Sequence, residues 1–190
     1  MIVGITGNIG SGKSTLSKFL SLGGFTVYDA DRIGKEVLQK EAKDDVVRVF
    51  GRELLTDSGL IDTRKLASIV FSDPLLLKKL TDILHPLILE RLKGLKSKHS
   101  GSVVFVEAAV AVEYGWHTFF DGLVVVFAYR GQRLLRAARR FGLKEALRRD
   151  SLQLPYSEKL KYADYLICNT GTLLHLKEQA ELLTEEILRC

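Results

Sequence analysis

The sequence predicts an α/β fold, a five-stranded parallel sheet with helices on both faces. Short apolar runs without polar alternation recur along the chain, helical periodicity fills the stretches between them, and a glycine-rich turn joins the first run to the first helix. Runs apolar at every position belong to strands covered on both faces, as in a parallel sheet between helix layers. With 190 residues, 46% hydrophobic and 27% charged, the chain can bury a full core in one domain elaborated by insertions.

The first strand is Ile2-Val3-Gly4-Ile5-Thr6, and Leu16, Phe19 and Leu20 give the stripe of the first helix. Between them Gly7-Asn8-Ile9-Gly10-Ser11-Gly12-Lys13-Ser14, followed by Thr15, fits the phosphate-binding loop pattern GxxxxGK(S/T) in its strand-loop-helix context. Glycines let the backbone curl with its N–H groups inward, and the helix that follows adds the positive end of its dipole. Lys13 is expected at the β- and γ-phosphates, the Ser14 hydroxyl at a magnesium ion and Thr15 near the α-phosphate.

Thr26-Val27-Tyr28 is a second strand ending at Asp29-Ala30-Asp31, which puts two carboxylates at the sheet edge where open α/β proteins bind ligands. From Ile33 to about Lys98 the pattern is helical, marked by Val46, Val49 and Phe50, by Leu66, Ile69 and Val70, and by Leu84, Leu87, Ile88 and Leu92. That block far exceeds a single crossover helix and is expected to form a subdomain with its own task. Val103–Glu107, Leu123–Phe127 and Tyr165–Cys168 supply three more strands. Thr172 is placed to cap a last helix with Leu173, Leu176, Ala180, Leu183 and Ile187 on one face.

No stretch approaches the ~18 apolar residues of a membrane span, and no basic segment precedes the short N-terminal apolar run, so a cytoplasmic location is expected. Cys168 and Cys190 are too few for a disulfide framework, and Cys168 reads as a small core residue. The net charge of +5 suits a polyanionic partner. Seven arginines, Arg130, Arg133, Arg136, Arg139, Arg140, Arg148 and Arg149, crowd one segment, and three of them, Arg133, Arg136 and Arg140, lie near one helical ridge. They read as a lid over a nucleotide, as a solvated basic helix, or as a nucleic-acid surface; the last lacks stacking aromatics or a binding module. Asp31 reads as a general base or as a helix cap, Asp29 as a metal-side acid or a cap, and Glu107 as a metal-linked acid or a surface strand end. His85, before Pro86, is by itself an ordinary structural histidine.

Several separated segments agree, in order, with one family: Gly4 to Thr15; Asp29-Ala30-Asp31 with Arg32-Ile33; Phe50-Gly51; Gly59-Leu60-Ile61-Asp62 with Leu66; Val70-Phe71-Ser72-Asp73-Pro74; His85-Pro86; Arg136 and Arg140; Gln153-Leu154-Pro155; Glu158-Lys159; Ala163-Asp164-Tyr165; and Asn169-Thr170-Gly171. Over nearly its whole length the chain resembles the dephospho-coenzyme A kinases, phosphate-loop NTPases of nucleotide-kinase-like fold. The resemblance implies transfer of the ATP γ-phosphate to the ribose 3′-hydroxyl of dephospho-coenzyme A, with magnesium, by a monomer or small homo-oligomer without nucleic acid or membrane as partner.

It also implies a core of residues 1–34, 101–130 and 163–190, a helical acceptor-binding insertion at about 35–100 and a lid at about 131–160. Catalytic roles fall to Lys13, Asp31 and Arg136. ATP would be bound by Gly7 to Thr15, Arg136, Arg140, Asn169 and Gly171, the acceptor by Asp31, Arg64, His85 and Glu107, and the metal by Ser14. The chain departs from the pattern at Ala109-Val110-Ala111-Val112, where a Pro-Leu-Leu segment is usual before Glu113, at Thr63 in place of an arginine, with Arg64 one position later, and in a shorter lid between Gly142 and Gln153. The nearest alternatives are another nucleoside or nucleotide kinase and a regulatory NTPase; a GTPase would carry an N-K-x-D segment where this chain has Ile167-Cys168-Asn169-Thr170-Gly171.

Overall fold

Strand β1 (Ile2–Thr6) is buried at every position and occupies the middle of the sheet. In the computed structural model, which describes residues 1–189, the sheet runs β2-β3-β1-β4-β5 with all four pairings parallel. Here β2 is Thr26–Asp29, β3 Val104–Glu107, β4 Gly122–Phe127 and β5 Tyr165–Cys168. Cys190, counted above among the cysteines, lies outside the described residues. Five parallel strands with helices is the architecture expected from the apolar runs, and none of the helices in the described residues is long and apolar enough to cross a membrane.

The chain divides into two compact units, one made of residues 1–29 and the chain from His99 onward, the other of Ala30–Lys98. The first holds the sheet. On one face Val3, Ile5, Phe105, Val124, Val126 and Ile167 pack with Leu16 and Leu20 of α1 (Lys13–Leu22) and with Leu176, Ala180, Leu183 and Ile187 of α9 (Leu173–Arg189). These are four of the five residues the periodicity placed on one face; the fifth, Leu173 in the first turn, is 66% exposed, and Thr172 caps the helix by accepting the His175 N–H at 3.2 Å. Burying a Leu or Ile side chain contributes about 1.5–3 kcal/mol, so this face anchors α9 without help from propensity. Three further helices, α6 (Arg130–Phe141), α7 (Leu143–Ser151) and α8 (Tyr156–Leu160), lie between β4 and β5 in the chain.

β2 and β5 are border strands, and their side chains are correspondingly more exposed than those of β1, β3 and β4. Leu166 is 50% exposed, and Cys168 is half-buried rather than the core residue expected from its small apolar side chain. The Gln179 side chain of α9 accepts the Cys168 N–H at 2.8 Å and donates to the Cys168 carbonyl at 3.0 Å, so it satisfies both backbone groups of that residue.

The second unit contains α2 (Ala30–Gln39), α3 (Lys43–Phe50), α4 (Thr63–Val70) and α5 (Pro74–Lys98). Val37, Val46, Phe50, Leu54, Leu66, Val70, Ile88 and Leu92 are among its buried residues, whereas Val49, expected on the apolar stripe of α3, is 47% exposed. Asp62 caps α4 by accepting the N–H groups of Arg64 and Lys65 at 2.9 and 3.1 Å. Gln39 closes the turn before it, donating to the Ile61 carbonyl and accepting the Ile61 N–H, both at 2.8 Å.

Candidate active site

Because β1 lies between β3 and β4, the glycine-rich turn that leaves it emerges at mid-sheet on the carboxyl edge, where the strand order reverses. That crevice is where open α/β sheets take their ligands. Gly10 and Gly12 adopt φ of +72° and +101°, left-handed values that a side chain disfavours. They also have no room for one: a Cβ on Gly10 would collide with the Arg133 carbonyl oxygen and a Cβ on Gly12 with the Asn169 amide nitrogen. Among the described residues the N–H groups of Gly10 and Gly12 make no hydrogen bond, which suits an anion seated in the turn at the start of α1.

Lys13 is buried at the first position of α1, and its Nζ donates to the carbonyls of Gly7 at 2.9 Å and Asn8 at 3.3 Å. The ammonium is therefore held across the loop. Ser14 is exposed in the same helical turn, and Thr15 is half-buried. One turn on, Ser17 donates to Glu107 Oε2 at 2.8 Å, tying the carboxylate at the end of β3 to α1. Asp29, the last residue of β2, stands opposite Glu107 in the sheet register, so two carboxyl residues end neighbouring strands on the loop side.

The outer side of the loop is braced by residues far along the chain. Gln153 Oε1 accepts the Ile9 N–H at 2.6 Å, the Leu154 carbonyl accepts from Asn8 Nδ2 at 3.0 Å, and the Ile9 carbonyl accepts from Arg133 Nη1 at 3.2 Å. Asn169 donates its amide to the Ser11 carbonyl at 2.8 Å, and both terminal nitrogens of Arg136 donate to the Asn169 carbonyl at 3.2 Å. Lys13, Arg136 and Asn169 are thus brought together with the loop. Gly171 follows Asn169 by two residues, with the Thr170 carbonyl between them accepting from Gln132. Arg140 goes elsewhere: its guanidinium sits 4.9 Å from the centre of the Phe141 ring, whose other cationic neighbour, Arg149, is 4.4 Å away.

Arg133 is the member of the arginine cluster that the charge pattern misrepresents. It is 4% exposed and paired with Asp150, so the ridge shared with Arg136 and Arg140 is only partly a solvent-facing one. Sequence reasoning also missed Glu113 and Lys159. Lys159 has no solvent exposure; its Nζ donates to Glu113 Oε1 at 2.6 Å and to the Ala109 carbonyl at 2.8 Å, and burial pushes its pKa below the ordinary lysine value despite Glu113. Glu113 Oε1 also accepts the Leu154 N–H at 3.1 Å, next to the residue that braces Ile9. The divergent segment Ala109–Val112 is held by these groups and by Thr6, whose hydroxyl donates to the Ala109 carbonyl at 3.2 Å.

In the second unit, Asp31 is exposed in the first turn of α2, two residues beyond the end of β2. Arg64 is exposed in the first turn of α4, and His85 is half-buried in α5 just before Pro86. Burial lowers the His85 pKa below the usual histidine value, with Asp82 opposing, which favours a neutral ring.

A parallel sheet of order 2-3-1-4-5 with a glycine-rich loop, buried lysine and helix N-terminus at its centre defines a phosphotransferase of the phosphate-loop kinase class. The sequence model of the dephospho-CoA kinase family matches residues 1–175. A dephospho-CoA kinase from Fusobacterium nucleatum is 36% identical over 98% of both chains, and one from Aquifex aeolicus is 37% identical over 98% of this chain and 97% of its own. Among solved structures, a Thermus thermophilus protein superposes with a TM-score of 0.84 at 35% identity, covering 98% of this chain and 97% of its own. The chain belongs to the dephospho-CoA kinase family. A shikimate kinase from Acinetobacter baumannii, at 15% identity and a TM-score of 0.55, shares the fold alone.

Proposed function

We propose that this protein transfers the γ-phosphate of ATP to the ribose 3′-hydroxyl of dephospho-coenzyme A, giving coenzyme A and ADP. The observation that carries the reading is the braced phosphate loop, with the Lys13 ammonium held across it and the Gly10 and Gly12 N–H groups without internal partners, in a chain of this family. Phosphoryl transfer is chiefly positioning and charge stabilisation, which is what a rigid cradle of N–H groups and one lysine supplies. ATP is assigned to Gly7 to Thr15, with Asn169 to Gly171 on its adenine side and Arg136 and Arg140 as lid cations.

The residues present fit a magnesium ion held mainly by the phosphates. Among the described residues no group of three or more His, Cys, Asp or Glu forms a metal cage, and the Ser14 hydroxyl stands exposed in the first turn of α1. Magnesium bound there neutralises charge on the β- and γ-phosphates. Asp31 is assigned as the base that accepts the 3′-hydroxyl proton, supported by its exposed carboxylate just past the end of β2. The unit Ala30–Lys98 is assigned to the acceptor with Arg64 and His85, and Glu107 to the acceptor side of the sheet edge; α6 to α8 form the lid segment.

ADP release measured with dephospho-coenzyme A, beside a panel of nucleosides and nucleoside monophosphates, tests the assignment. Stimulation by dephospho-coenzyme A alone is expected, and none with it would refute the proposal. Asp31→Asn should lower kcat by ~100- to 10,000-fold, as loss of a general base does. Arg136→Ala should lower kcat more than it weakens ATP binding if the guanidinium serves the transferring group; a loss confined to ATP affinity assigns it to holding Asn169.

A further inference from the structure

The two peptide groups flanking Ile9 are each held by a side chain from the segment between β4 and β5. Gln153 takes the Ile9 N–H, and Arg133 takes the Ile9 carbonyl. Among the described residues every peptide bond is trans, so the N–H and C=O of one peptide unit point in opposite directions. Holding the Ile9 carbonyl outward therefore turns the Gly10 N–H inward, and that N–H makes no hydrogen bond among the described residues. In the same way, holding the Ile9 N–H outward turns the Asn8 carbonyl inward, where Lys13 Nζ meets it at 3.3 Å.

We propose that Arg133, clamped by Asp150, is a positioning residue for nucleotide binding: the pair orients the Ile9–Gly10 peptide so that the Gly10 N–H faces the phosphates. This rests on reading the loop as the nucleotide site. Arg133 makes both of its hydrogen bonds through one nitrogen, Nη1, to the Ile9 carbonyl and to Asp150 Oδ1 at 2.7 Å. Asp150 Oδ2 is occupied by Arg130 Nε at 2.9 Å, so two cations fix the carboxylate that fixes Arg133. The guanidinium lies 5.3 Å over the Tyr156 ring, and the Tyr156 hydroxyl donates to the Val126 carbonyl at 2.6 Å near the end of β4. The arginine is thus set between the sheet and the loop, with the Arg133 main-chain carbonyl against Gly10.

Stability alone does not explain the pair, because well-packed apolar residues commonly replace a buried ion pair without loss. What apolar residues cannot supply is a donor to the Ile9 carbonyl. The test is calorimetric titration of the full chain with ADP and magnesium, alongside KM for dephospho-coenzyme A at saturating ATP and a thermal melt. Arg133→Met should weaken ADP binding about tenfold, the scale of one charge-assisted hydrogen bond, and leave the acceptor KM within about twofold. Arg133→Met leaves the buried Asp150 with Arg130 as its one remaining cation, so the double variant Arg133→Met with Asp150→Leu separates the two roles: it should melt near the parent yet keep the tenfold loss of ADP affinity. Parent-like ADP affinity in the folded double variant overturns the inference and leaves the nucleotide site intact. Failure of the parent itself to bind ADP overturns the nucleotide reading, and this inference with it.

Discussion

Replacing Lys159 by Met tests how the segment between β4 and β5 is fastened to the turn after β3. The substitution keeps most of the side-chain volume and removes an ammonium that has no solvent exposure and reaches both Glu113 and the Ala109 carbonyl. Glu113, whose side chain is 11% exposed, retains the Leu154 N–H as a donor to Oε1, and its Oε2 has no hydrogen-bond partner among the described residues. Breaking a buried pair by removing one partner costs about 3–5 kcal/mol. The Ala109 carbonyl keeps the Thr6 hydroxyl as a donor, so its loss of the ammonium adds little. The expected destabilisation is about 4 kcal/mol at pH 7, read as a shifted urea midpoint or a fall in Tm of roughly 10 °C for a chain of this length. A loss below ~1 kcal/mol at pH 7 would refute the view that Glu113 is a buried charge dependent on Lys159.

Gly10→Ala combines a left-handed backbone with a collision against the Arg133 carbonyl, so ADP affinity measured by calorimetry should fall by at least about tenfold while the unit Ala30–Lys98 keeps its fold. Asp62→Ala removes the cap of α4 and should cost about 1 kcal/mol by urea unfolding, with Asp62→Asn recovering most of it. The folded-state pKa of His85 lies below its unfolded value, so between the two the unfolded chain binds more protons and stability rises with pH up to about 6.5. His85→Gln should flatten that part of the stability profile, and an unchanged slope from pH 5 to 6.5 would show that His85 is not its source.

The sheet was legible because parallel strands announce themselves as unbroken apolar runs: Ile2–Thr6, Leu123–Phe127 and the Val103–Glu107 stretch all became strands, and the stripe from Leu176 to Ile187 became the buried face of α9. Which strands lie at the border was not legible, since Tyr165–Cys168 is as apolar in composition as the central strands and owes its exposure to strand order. The phosphate loop could be read outright, because its chemistry is local. Its bracing could not. Arg133 looks like any other arginine in a basic segment until Asp150, 17 residues on, is brought to it, and Lys159 meets Glu113 only through the packing of the turn after β3. Charge patterns report which residues are polar, whereas burial of a charge depends on partners distant in sequence. The available signals were the Gln153-Leu154-Pro155 and Glu158-Lys159 segments, which the family resemblance marked without giving either a task.

The amide of Gln179 has a consequence for how the protein behaves in company. A sheet that stops at β5 leaves main-chain donors and acceptors facing outward, and an exposed border of this kind is a template on which other chains can polymerise. At Cys168 the outward pair is already taken by a side chain from the same molecule, which mimics one rung of a sixth strand. An incoming strand would first have to evict that amide and leave it unpaired. With the half-exposed Leu166 on the same border strand, Gln179 acts as a stopper against runaway lateral growth, placed beside an apolar side chain that the sheet leaves uncovered.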